Sequence, residues 1–76
     1  MDQEQSEVLI ILAEECSETI QSITKILRFG FFTEYAGYGK NNEKFEDELC
    51  DVIACTLLVR KLGLIRDSVI DKKVSK

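Results

Sequence analysis

Apolar residues recur at Leu9, Leu12, Ala13, Cys16, Ile20, Ile23 and Leu27, the spacing of one face of a helix. Asp2, with Gln5 three residues on, matches a capping box at the start of this run. Phe29-Gly30 supplies the stop, since glycine accepts the left-handed backbone on which helices commonly end. The pattern predicts a first helix over 3–29 with that stripe as its core. Asn41 or Asn42 then offers an N-cap, Glu43, Glu46 and Asp47 suit the positive end of a helix dipole, and Gly63 marks an end. This second helix is apolar nearly all round from Leu49 to Leu62, which predicts burial between neighbours. A third segment over 65–74 places Ile65, Val69, Ile70 and Val74 at helical spacing, with Lys72, Lys73 and Lys76 forming a basic tail expected to fray. Residues 30–41, with three of the four glycines and Phe31, Phe32, Tyr35 and Tyr38, read as an aromatic loop with room for one helical turn. No alternating strand pattern of useful length occurs.

The expected fold is therefore all-α, a single domain over 1–76. At 76 residues the chain is near the lower limit for an unaided core. With only two long helices, completing a four-helix core takes a second chain, so oligomerisation is expected. Hydrophobic residues make up 45% of the chain, but no apolar run approaches the roughly 18 residues that suggest a membrane span. The stretch Val8 to Ala13 superficially resembles a signal-peptide core, yet Glu4 and Glu7 precede it and no basic residues do, so it reads as helix. Three cysteines, Cys16, Cys50 and Cys55, have no C-x-x-C spacing and no histidine beside them, which fits buried thiols in a reduced, cytoplasmic compartment. A net charge of −4 argues against a nucleic-acid partner.

Charge changes the picture most on two helices. Glu14, Glu15 and Glu18 project within an arc of about 100° on the first helix, away from the apolar stripe. Glu48 and Asp51, three residues apart on the second, are side-chain neighbours at the edge of its apolar stretch. Carboxylates at such an edge are costly unless something neutralises them. Two carboxylate pairs on packed helices supply the oxygen ligands that Mg²⁺ or Mn²⁺ prefers. The competing reading, a solvated acidic face, accounts more easily for the first pair than for the second.

The run Leu12-Ala13-Glu14-Glu15-Cys16-Ser17-Glu18, then Glu48-Leu49-Cys50-Asp51-Val52 after the 29 residues 19–47, resembles the E-E-x-x-E and E-x-x-D signature of MazG-like nucleoside triphosphate pyrophosphohydrolases. The intervening run 19–30, ending in Arg28-Phe29-Gly30, is similar to short phage-type members. The resemblance spans roughly residues 9–65. It implies an all-α fold assembled as a homodimer or homotetramer and Mg²⁺-dependent cleavage of a (d)NTP into the monophosphate and pyrophosphate, in nucleotide metabolism or pool sanitation. By motif position, Glu15, Glu18, Glu48 and Asp51 would be metal ligands, with Glu14 accessory; Glu14 and Glu18 are both candidates for the general base. The chain departs from the family's pattern in its long spacing, in Leu58 where many relatives have asparagine, and in its early end after the third segment.

Lys25 and Lys44 are candidates for phosphate contact, though either also suits a solvated charge pair. Arg28, a bidentate phosphate binder by chemistry, adjoins the aromatic loop. Phe29 and the loop aromatics are candidates to stack on a base or to cover a subunit interface. Two further function classes remain at this level: a non-catalytic protein that sequesters a nucleotide, and an oligomeric interaction module.

Overall fold

The computed structural model describes every residue except Tyr35, Ala36, Tyr38 and Lys76. Its three helices are α1 (Gln3–Phe29), α2 (Asn41–Lys61) and α3 (Asp67–Val74), with no strand among the described residues. The all-helical expectation holds.

Local chemistry sets the ends. Asp2 Oδ1 accepts from the Gln5 backbone N–H at 2.8 Å while the Gln5 side chain accepts from the Asp2 N–H, closing the capping box at α1. At the other end the Gly30 N–H donates to the Ile26 carbonyl, with glycine at φ 111°. A Cβ there would also lie 2.8 Å from Thr33 Oγ1. The start of α2 differs from expectation. Lys40 occupies the N-cap position without a side-chain bond, and Asn41 is the first helical residue. The Asn41 amide instead turns back and donates to the Gly30 carbonyl at 2.9 Å, stitching the two ends of the loop. The α2 terminus is a Schellman arrangement: the Leu64 N–H reaches the Val59 carbonyl and the Gly63 N–H the Arg60 carbonyl. Between the long helices the described residues form bends, a turn at Gly37 and one Glu34–Lys40 bridge; the helical turn allowed for in this loop falls in part on Tyr35, Ala36 and Tyr38, outside the described residues.

Helices α1 and α2 form an antiparallel hairpin, since Gln5 bonds the Leu62 carbonyl at one end and Asn41 bonds Gly30 at the other. Helix α3 barely touches either. It is tethered at its start by Arg60 Nε to Asp67 Oδ1 at 2.7 Å. The molecule measures 40 × 33 × 14 Å. Its radius of gyration of 15.0 Å exceeds the roughly 11 Å of a compact chain of this length.

Two burial expectations are corrected. The α1 stripe is not a core within the chain: Ile20 is 64% exposed and Leu27 80%, and Ile23 and Cys16 are exposed as well. The less exposed face of α1 instead runs through Glu15, Thr19, Ser22 and Ile26, centred roughly 100° round the helix from that stripe, with Leu12 of the stripe at its edge. Similarly, α2 is not buried all round. Cys55 and Val59 are its buried apolar residues, whereas Leu49, Ile53, Leu57 and Leu58 are exposed. A flat two-helix layer has one seam, and apolar residues off that seam have nothing in the chain to cover them. Cys50, expected to be buried, is exposed for the same reason.

Candidate metal centre

The hairpin register sets α1 residue 15 opposite 51 and residue 18 opposite 48. Glu15, Glu48 and Asp51 each place a carboxylate oxygen within 4.8 Å of the others. Glu18 is not in that trio, but its carboxyl stands beside that of Glu48, close enough for the two to interact. The i,i+3 spacing on α2 delivers Glu48 and Asp51 to the seam together, and the antiparallel turn brings the first motif to meet them.

Glu48 is 6% exposed. Its Oε1 accepts an ion pair from Lys44 Nζ at 3.2 Å. Its Oε2, and Oε2 of Glu15, lie out of solvent with no hydrogen-bond donor. Buried carboxylate oxygens without a donor lose hydration and gain nothing in return. The Glu15 carboxyl is held above its ordinary value of 4.5, chiefly by loss of hydration and then by the charges of Asp51 and Glu48. Glu18 is also raised, first through its hydrogen bond to Glu48 and then by that residue's charge, with Lys44 pulling the other way. Burial raises the Cys55 thiol, as do Glu15 and Asp51, so this cysteine is neutral at pH 7, as its sequence context suggests.

The donor set fits a divalent cation. All its atoms are hard carboxylate oxygens, they come from two packed helices, and the two orphaned oxygens are groups that such an ion would satisfy.

Beside the carboxylates lies a polar cavity of about 280 Å³ lined by Glu18, Gln21, Ser22, Lys25, Lys44 and Glu48. It unites Lys25 and Lys44, the two lysines singled out as phosphate contacts. Arg28 and Phe29 fall elsewhere. The Arg28 guanidinium sits 5.3 Å from the Phe29 ring centre, and both line a shallower groove on the outer flank of α1 with Ile20, Gln21, Thr24 and Lys25. Lys25 and Gln21 border both hollows. Glu14 is exposed on α1, near enough for its charge to act on Glu15. Phe31 and Phe32 meet edge to face at 5.0 Å and are exposed; Tyr35 and Tyr38 lie outside the described residues. Lys72 and Lys73 belong to α3, away from the cavity lining, and Lys76 lies outside the described residues.

Sequence reasoning passed over Thr19 and Ser22, the two buried residues of α1. Their signal was available: they follow Glu15 at i+4 and i+7, one small polar side chain per turn in phase with the acidic motif. The Thr19 hydroxyl donates to the Glu15 carbonyl at 2.8 Å, which satisfies it without a partner across the seam.

Comparison with protein-family models, curated proteins and solved structures finds no match. Likewise, no helix among the described residues is long and apolar enough to cross a membrane.

Proposed function

We propose that the chain is a Mg²⁺-dependent nucleoside triphosphate pyrophosphohydrolase, converting a (d)NTP and water to the (d)NMP and pyrophosphate. The observation that carries this reading is the meeting of Glu15 with Glu48 and Asp51 within 4.8 Å, with two of their buried oxygens lacking donors. Those are residues of the two motifs that, in composition and order, resemble the MazG-like signature. Glu15, Glu48 and Asp51, with Glu18 alongside, would hold Mg²⁺ or Mn²⁺, and the cation would offset the charge of the phosphate oxygens. The polar cavity beside them takes the phosphate chain between Lys25 and Lys44. Glu18 borders both the trio and the cavity, a position from which it can accept a proton from the attacking water; Glu14 is the other candidate base, one helical turn away.

The working form in this reading is a homo-oligomer. The chain exposes 5910 Å², against roughly 4700 Å² for a compact protein of 8.7 kDa. Among the exposed residues are Ile20, Ile23, Leu27, Ile53 and Leu57. A second copy layered on these faces completes a four-helix core.

Incubation of the purified protein with a nucleotide panel and Mg²⁺, followed by product separation, tests the activity. Monophosphate and pyrophosphate are expected. Orthophosphate and a diphosphate would overturn the bond assignment, and tight binding with the nucleotide recovered intact would make the protein a sequestering one.

A further inference from the structure

We propose that Lys44 is an exchangeable counter-ion that couples cation loading of the carboxylate cluster to binding of a phosphate group in the adjoining cavity. This rests on the cation site proposed above.

Lys44 stands one helical turn before Glu48 and its ammonium lies 3.2 Å from Glu48 Oε1. The two ends of this pair differ sharply, the lysine side chain being 50% exposed and the glutamate side chain 8%. The glutamate is therefore fixed in the seam while the lysine reaches in from the surface on a flexible stem. Both residues line the cavity, together with Glu18, Lys25, Gln21 and Ser22. Two carboxylates and two ammonium groups make that lining neutral, and a neutral lining gives a polyanion little reason to enter. A dication held by Glu15, Glu48 and Asp51 cancels the further negative charge that Glu15 and Asp51 place behind that lining. It also takes over Glu48, which loosens the attachment of Lys44. The ammonium then stands on the wall of the cavity with its donors available to phosphate oxygens. Loading thus assembles the phosphate subsite, and the phosphate in turn favours retention of the cation, because coupling between two sites is reciprocal. Gln21 and the buried Ser22 add neutral donors on the α1 side.

The test uses Mn²⁺ alone and then inorganic phosphate at saturating Mn²⁺, each titrated calorimetrically into wild type, Lys44→Met and Lys44→Arg. Methionine keeps helix propensity and most of the stem, so folding is preserved. Lys44→Met is expected to bind Mn²⁺ about two- to fivefold more tightly, the scale of a half-exposed ion pair. It should bind phosphate at least about fivefold more weakly, the scale of one lost charged hydrogen bond. Lys44→Arg should stay near wild type in both. Unchanged or weaker Mn²⁺ binding by Lys44→Met, or unchanged phosphate binding, would overturn the exchange while leaving the cation site intact. If wild type binds no Mn²⁺, the cation site fails and the exchange falls with it.

Discussion

Two flanks of α1 present opposite chemistry. The flank turned to α2 carries Glu15, Thr19 and Ser22 between Leu12 and Ile26, while the one turned outward carries Ile20, Ile23 and Leu27. A self-sufficient two-helix protein would reverse them, packing leucine and isoleucine in the seam and leaving glutamate to water. The inversion separates two tasks. Small polar residues bring the helices together without filling the seam, which leaves room for carboxylates to meet. On the proposed oligomeric reading, the apolar flank is left to hold a second layer. In that reading the seam is a site built at some expense of stability, and the outer flank is where stability would be recovered.

The largest effect expected from this contrast is on the seam's affinity for metal. Glu48→Gln removes one of three converging carboxylates with little change of shape, so Mn²⁺ affinity should fall on the order of 100-fold, the upper end of what loss of a supporting group costs. Circular dichroism should show the helices intact. Equal affinity in the variant would mean that the cluster is only a solvated acidic face.

A smaller effect is expected on the outer flank. Ile20→Glu or Leu27→Glu should weaken self-association by on the order of 30-fold or more, the scale of a central interface residue, with metal affinity in the isolated chain preserved. Sedimentation across a concentration series measures it. A wild-type protein that stays monomeric at high concentration would show that nothing of its own kind covers this flank.

Much of this was legible in the sequence, and the remainder has a physical reason. Helix existence, the Asp2 capping box and the stop at Gly30 are local matters, decided by residues within a turn of each other. The pairing of Glu15 with Glu48 and Asp51 follows from motif order once the helices fold back as a hairpin. Which flank of α1 faces α2 is not local. Periodicity locates an apolar stripe but not what lies against it, and here the stripe faces away from the chain's own second helix. Asn41 shows the same limit in miniature: asparagine reads as an N-cap, yet its amide is drawn to the Gly30 carbonyl by a loop closure that no local rule contains.

Glu48→Gln also separates function from stability in metal-free protein. The amide replaces an oxygen that has no donor by a group that can donate to Glu18, and it removes a charge facing other carboxylates. Against this stands the loss of the Lys44 pair, a partly exposed contact of modest worth. A net gain of about 1 kcal/mol is expected, raising Tm by roughly 4–8 °C. Loss of stability would show that the carboxylate is already well accommodated.

The smallest effect is a pH dependence, and its direction distinguishes a strained seam from an ordinary acidic surface. Glu15 and Glu18 have folded values above the ordinary 4.5. Between the unfolded and the folded values the native state therefore binds more protons than the unfolded one, and stability falls as pH rises through that window. This contribution is fully present below about 4.5 and is lost above the raised folded values. Metal-free protein should accordingly melt slightly higher at pH 5 than at pH 7. A saturating divalent cation should flatten or reverse the slope, since it binds the deprotonated carboxylates and its affinity grows with pH. Melting curves at both pH values, with chelator and with Mg²⁺, read this directly. A metal-free protein that instead gains stability over the same interval would indicate carboxylates paired with positive charge, and the seam would lose its claim to be waiting for a cation.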